Sequence, residues 1–201
     1  LVARHYTSHR FWWRRPRRRS HRSGVIVLRT QRLLLRQVVE ADVSSVMKIR
    51  GNEEAMRYIP RPRAKTTEDA LSVIAMLTNG INEGKSINWA ICNAQDPNEI
   101  YGIMGYVNFY PQELKAEIGY MLHPDYWGRG YVPEAIIAVE KFGFENIHLE
   151  LIEAKIDPRN DNSRKVLLRN HYQFDRLMQK EMTFENEELD SEYYVKKKSV
   201  G

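Results

Sequence analysis

The period of the apolar positions changes several times along the chain, and each change predicts an element. Val25 to Val39, which contains RLLLRQVV, is apolar and β-leaning and predicts a first strand. Val43, Val46, Met47 and Ile49 recur at helical spacing within residues 40–50, with Gly51-Asn52 as the stop. Asn52 to Tyr58 reads as a second short helix, closed by Pro60 and Pro62. Thr66-Thr67-Glu68-Asp69 offers capping groups to a helix that carries Ala70, Val73, Ile74 and Leu77. Alternation then predicts strands at 87–92 and 100–109, joined by the turn Asp96-Pro97-Asn98. A strand at 116–122, a helix at 133–144, a strand at 149–156 and a helix at 162–170 follow. Two closing strands span 172–184 and 189–197. This order predicts an α+β protein, not a doubly wound one. Its centre is a mixed, mostly antiparallel sheet of about six to seven strands flanked by helices. No internal repeat and no linker follows residue 24.

One stretch concentrates the chemistry: AEIGYMLHPDYWGRGYVPEA, residues 116–135. A strand, a glycine-containing loop and a helix start in succession form an anion cradle. The first N–H groups of a helix have no internal partners, and the helix dipole adds partial positive charge there. Glycine lets the loop turn tightly and lets a phosphate approach the backbone.

Charge changes the picture only when it is located. The 201 residues carry a formal net charge of +5. Residues 1–24 hold eight Arg and no Asp, Glu or Lys, so removing that +8 leaves residues 25–201 at −3. The basic balance belongs to an arm, and the domain is mildly acidic, which argues against DNA as a partner. The arm has no sustained apolar period and is expected to be disordered. Three readings stand for it: a basic arm for RNA or a membrane surface, with Phe11, Trp12 and Trp13 as stacking groups; a transit-peptide-like segment; or a leader or mis-assigned start. The last is the expectation, since the chain opens on Leu1 without a Met. No later stretch approaches the roughly 18 apolar residues of a membrane span. The single Cys92 excludes an internal disulfide and fits a reducing, cytoplasmic setting. The six His lack the spacing of a closed metal site, so no metal is expected.

From about Leu28 to Lys197 the chain resembles the Gcn5-related N-acetyltransferases, in the branch that holds the bacterial ribosomal-protein N-terminal acetyltransferases. The resemblance rests on LRTQRLLLRQVVEAD, AEIGYMLHPDYWGRGY, DPRNDNSRKVL and LDSEYYVKKK, in that order. It implies a splayed central strand pair, acetyl-CoA as co-substrate and direct acetyl transfer to a primary amine. Met121 and Leu122 would hydrogen-bond the pantetheine arm through their backbone. The family's Q/R-x-x-G-x-G/A loop falls on Trp127, Gly128, Arg129, Gly130, Tyr131 and Val132, whose N–H groups would hold the pyrophosphate. Trp127 and Val132 depart from that pattern, and Pro133 removes one further N–H. Asn160 and Ser163 match an N-x-x-S element facing the pantetheine and sulfur; Asp161, Asn162 and Ser163 are also ordinary helix-capping types. The Tyr that other members place four positions after the serine is here Leu167, which leaves Ser163 or water to protonate the thiolate.

Transfer to an amine also needs a base, because an amine with pKa of roughly 8 to 10 must lose a proton. Glu117 on the central strand and Glu181 on the strand walling the cleft are the candidates, and a solvated strand position is the plain alternative for each. His123, before a proline, reads as structural. The acceptor is an amine or a peptide N-terminus, with a ribosomal protein among the candidates, and a homodimer is left open. The late cluster Glu185, Glu187, Glu188 and Asp190 suits a cationic amine or basic peptide, unless it is a solvated face. Two functions of different class remain: an active N-acetyltransferase, or a catalytically weak acyl-CoA-binding or ribosome-associated module.

Overall fold

The computed structural model describes residues 26–199; the Arg-rich arm and Val25 lie outside the described residues. Strands β1 (Leu28–Arg29) and β2 (Leu33–Arg36) come first, then helices α1 (Val43–Gly51), α2 (Glu53–Met56) and α3 (Thr67–Asn82). Strands β3 (Ile87–Asn93), β4 (Ile100–Tyr110) and β5 (Lys115–Leu122) meander antiparallel. Helix α4 (Tyr131–Lys141), β6 (Leu151–Ile156), α5 (Asp161–Arg169), β7 (Gln173–Phe184) and β8 (Glu187–Lys197) complete the chain. All strands join one mixed sheet of order β1-β2-β3-β4-β5-β6-β8-β7, in which the β5–β6 pair alone is parallel.

The α+β architecture agrees with the sequence reading, with eight strands in place of six to seven. The added strand comes from the segment read as one first strand. Thr30 breaks it: its hydroxyl accepts from Leu33 N (2.9 Å), and Leu28–Arg29 folds back on Leu34–Leu35. Helix α4 starts two residues earlier than the pattern indicated and gives way to a π-helical turn at Phe142–Asn146. Capping behaves as the residue types require. Thr66 accepts from Asp69 N, Asp69 accepts from Thr66 N, and Asn52 caps α2 through Ala55 N.

Strand alternation gives the sheet two different faces. Ala116, Ile118 and Leu122 of β5 face a large core with Trp89, Tyr106, Ile152 and Ala154, closed by Ala135, Ile136 and Val139 of α4 and Leu167 of α5. The opposite face carries a smaller core, where Leu34, Ala90, Cys92 and Ile103 pack on Val46 and Ile49 of α1 and Ala70 and Ile74 of α3. Met121 marks the border of that second core. Past it, the same face over β5, β6 and β8 presents Glu117, Glu153, Lys155 and Tyr193.

On the first face a partly buried ion pair ties α4 to the last strand: Lys196 Nζ donates to Glu140 Oε2 (2.6 Å) and to Asn170 O (2.9 Å). Glu140 is buried, and that burial raises its pKa against the pull of Lys196. Lys196→Met would leave an uncompensated carboxylate and is expected to cost about 3–5 kcal/mol at neutral pH. Because the folded-state pKa is raised, the loss shrinks as acid protonates Glu140 in both states. Urea unfolding of variant and wild type across pH 4 to 8 measures both; a pH-independent difference contradicts this account.

Candidate active site

The site is built on the point where β5 and β6 part. They pair in register from Lys115↔Leu151 to Ile118↔Ala154, and pairing stops there although both strands run on. On its other side β5 stays paired with β4 through Gly102↔Leu122. Beside the parting point β4 carries a bulge at Val107, between Tyr106↔Ile118 and Asn108↔Glu117. Gly119, the first residue of β5 without a partner on β6, accommodates it: a Cβ there would lie 3.1 Å from the Val107 side chain. A bulge adds local twist, which turns the end of β5 away from its parallel neighbour.

Ladder alternation then decides which peptide groups face the gap. His123 N donates to Tyr101 O (2.9 Å), so two residues earlier Met121 bonds toward β4, and the N–H and C=O of Tyr120 and Leu122 point to the open side. The Leu122 carbonyl is taken by the Trp127 indole N–H (3.0 Å). The pair expected from sequence is thereby corrected: Tyr120 replaces Met121, whose peptide groups belong to the β4 ladder.

The strand leads into the glycine loop. Gly128 and Gly130 adopt φ of 72° and 77°, a left-handed conformation that favours glycine. Gly130 is the N-cap of α4 and provides no side chain; the first helical bond runs from Glu134 N to Gly130 O (3.3 Å). Pro133 has no N–H, so the Tyr131 and Val132 amides are left as the free donors of this helix start. A Cβ at Gly128 would meet nothing within 4 Å, so the cradle is open outward. The Trp127 amide is engaged by Pro124 O (3.0 Å), which restricts the donor set expected from 127–132 to 128–132 and makes Trp127 a brace.

The loop is held from behind by residues that sequence reasoning quoted without a role. Glu134 accepts from the Thr30 hydroxyl, from Arg32 N (3.0 Å) and from Arg32 Nε (2.7 Å). Arg32 Nη1 also donates to Arg129 O (2.9 Å), and its guanidinium lies 4.9 Å from the Tyr131 ring. Burial pushes the Glu134 carboxyl up, but the Thr30 and Arg32 hydrogen bonds outweigh it and hold its pKa below the usual range. Tyr131 stacks on Tyr101 with centroids 4.6 Å apart. The available signal was charge complementarity between TQR in the first strand and Glu134 in the helix.

Across the gap, Asn160 accepts from Ser163 N (3.0 Å) and so caps α5. The Tyr120 hydroxyl reaches Ser163 O at 3.5 Å, and burial pushes that phenol up to about 12, so it stays protonated. Leu167 is fully buried core. His123 caps a 3₁₀ turn at Pro124–Tyr126.

The two candidate carboxylates have different surroundings. Glu117 accepts from Asn108 Nδ2 (2.8 Å), and no Lys or Arg among the described residues stands within 4 Å of it. Glu181 pairs with Lys155 (2.9 Å) and accepts from the Tyr193 hydroxyl. Burial pushes the Glu181 carboxyl up, but Ser191, Tyr193 and Lys155 together hold it below the usual carboxylate range. Glu153, opposite Glu117, is buried and paired with Arg176 (3.0 Å).

A strand gap ending at an uncapped helix start defines a site for a long anionic ligand. Residues 32–173 match the family model described as an acetyltransferase (GNAT) domain, and the chain belongs to that family of acetyltransferases. It is 29% identical over 168 residues to the uncharacterized N-acetyltransferase YoaA of Bacillus subtilis, covering 84% of this chain and 94% of that protein. The uncharacterized N-acetyltransferase p20 of Bacillus licheniformis is 29% identical over 140 residues, 70% of this chain and 78% of that one. Among solved structures, RimL, titled a ribosomal L7/L12 alpha-N-protein acetyltransferase, superposes with a TM-score of 0.78 at 19% identity, covering 90% and 98% of the two chains. No helix among the described residues is long and apolar enough to cross a membrane.

Arg32→Ala removes the clamp on the loop. The pair is partly exposed, so the expected cost in global stability is at most about 1 kcal/mol. Amide exchange at residues 128–132 is expected to accelerate at least several-fold while the β3–β4 amides are unchanged. Unaltered exchange in the loop contradicts the clamp.

Proposed function

We propose that the protein moves the acetyl group of acetyl-CoA to a primary amine by direct transfer with both substrates bound. The observation that carries this is the β5–β6 gap running into the uncapped start of α4. Free amides at 128–132 suit a pyrophosphate, and the unpaired N–H and C=O of Tyr120 with the N–H of Leu122 suit the amides of a pantetheine arm. Fold neighbours include RimL in complex with coenzyme A and MccE in complex with acetyl-CoA and AMP, which supports the same ligand class here. When bound, acetyl-CoA supplies a thioester-activated acetyl group.

The chain's own residues supply position and proton transfer. Glu117, free of a cationic partner and on the face not covered by α4, takes the proton that the acceptor ammonium must lose. Ser163, at the start of α5, provides the proton for the departing sulfur. Glu181, the other candidate base, is held by Lys155 and Tyr193; its lowered pKa suits a wall of the cleft better than a base. The acceptor is an N-terminal α-amine or a small-molecule amine, and the RimL likeness favours a protein N-terminus. The unpaired, buried Cys92 is in keeping with a cytoplasmic protein.

Coenzyme A release measured with a panel of amines and N-terminal peptides tests the reading. Glu117→Gln is expected to lower kcat by about 10²–10⁴-fold with unchanged acetyl-CoA affinity. Glu181→Gln should change kcat far less. Cofactor binding without turnover on any acceptor would overturn the enzyme in favour of a binding module. Gly130→Glu puts a carboxylate in the cradle at positive φ and is expected to abolish acetyl-CoA binding by calorimetry; retained affinity would remove the cradle from the proposal.

A further inference from the structure

Residues 48–65, which include α2, hold a run of cations that the protein leaves largely unneutralised. Between positions 48 and 65 stand Lys48, Arg50, Arg57, Arg61, Arg63 and Lys65, against Glu53 and Glu54. Of these six, Arg63 has a carboxylate partner, Glu53 at 3.1 Å, and both are solvent-exposed. On β6, α5 and β7 several cations are matched: Lys155 with Glu181, Arg159 with Asp157 and Glu187, Arg164 with Glu192, Arg176 with Glu153.

Arg50 shows the imbalance most clearly. Its Nε is buried without a hydrogen-bond partner, and Nη2 reaches only Pro62 O at 3.4 Å. Burial and the nearby charge of Arg61 hold its pKa below the usual arginine range. Arg50 as a whole is half-buried, and a guanidinium fork with free donors matches a carboxylate or phosphate in shape and charge. The same segment forms a cavity of about 550 Å³ whose polar walls are Lys48, Asn52, Arg63 and Lys65, with no carboxylate among them; Arg50 is not part of its wall. This segment is not remote from the chemistry. It contains α2, which lies against β5, the strand that bears Glu117.

The late acidic cluster, by contrast, is largely consumed inside the protein. Glu187 pairs with Arg159 (2.9 Å), Glu188 with Lys180 (2.7 Å), and Asp190 accepts from Lys180 N (2.8 Å). Net charge favoured a basic acceptor; pairing favours the opposite.

We infer that residues 48–65 form an oxyanion-recognition site at the acceptor side, and that the acceptor is an amine bearing carboxylate or phosphate groups, such as an acidic peptide with a free N-terminus. The role as acceptor site rests on the acetyltransferase reading; the binding of oxyanions does not.

The test is fluorescence anisotropy on the full chain with four octapeptides labelled at the C-terminus, carrying four Glu, two phosphoserines, four Ser or four Lys. The basic arm is present in every sample, so wild type and variants are compared with it in common. The Glu or the phosphoserine peptide is expected to bind at least tenfold more tightly than the Lys peptide, and the stronger of the two identifies the oxyanion. Arg50→Met with Arg63→Met should remove at least tenfold of that affinity, and Arg50→Lys should restore part of it. Acetyl-CoA affinity and the thermal midpoint serve as fold controls. Should Arg50→Met fail to fold, Lys48→Met with Lys65→Met, both at exposed positions, is expected to weaken acidic-peptide binding at least threefold. Equal binding of all four peptides, or variants that bind the acidic peptides as wild type does, overturns the inference. Selective oxyanion binding without acetyl-CoA binding would instead sustain it and overturn the acetyltransferase reading. Acetyl transfer to Ser or Lys peptides in preference to acidic ones would do the reverse.

Discussion

The site depends on two parallel strands that stop pairing while each remains held from its outer side. β5 keeps its ladder with β4 as far as Leu122, and β6 keeps its ladder with β8 through Lys155↔Tyr193 and Ile156↔Glu192. Neither strand frays, so the gap beyond Ile118 and Ala154 is a fixed opening. A buried sheet would have to satisfy the peptide groups that face it, and here both groups of Tyr120 and the N–H of Leu122 are left for water or a ligand, the Leu122 carbonyl being taken by Trp127. The bulge at Val107 and the missing side chain at Gly119 create that opening, and the α4 start lies at its end.

Such an opening is useful only if the loop at its end keeps its shape without a ligand. Free helix-start amides are stable in water but have no internal partners to hold them in position. The Thr30–Arg32–Glu134 cluster provides the missing constraint, because it fixes the Arg129 carbonyl and the first turn of α4 to the β1–β2 turn. Trp127 acts from the other side by binding the Leu122 carbonyl. A chain segment almost a hundred residues upstream thus sets the geometry of the cradle.

Much of this was legible in the sequence. The glycine loop, the helix after it, the cap at Thr66 and the antiparallel meander follow from local residue chemistry, which does not depend on the rest of the fold. What was illegible depends on register and distant pairing. The exchange of Met121 for Tyr120 is a one-residue question about which ladder each peptide group joins, and periodicity locates a strand without fixing its partner. The split of the first strand at Thr30 follows from a side-chain hydrogen bond within a run whose apolar pattern is continuous. Glu117 and Glu181 look alike along the chain; Lys155 and Tyr193, brought up by β6 and β8, are what separate them.

Charge shows the same limit more strongly. A formal total treats every ionised group as available, whereas a partner in the fold sees only the charge that intramolecular pairing leaves over. Beyond residue 24 the total is negative, yet acids late in the chain are taken by Arg159 and Lys180, while of the six cations at 48–65 Arg63 alone has a carboxylate partner among the described residues. The Coulomb energy of an exposed pair is small, so such pairing does little for stability. It does cancel the local field over a few ångströms, and that field orients an incoming charged substrate. On the inference drawn above, acceptor recognition falls to cations that intramolecular pairing leaves over, and their sign is opposite to that of the domain as a whole.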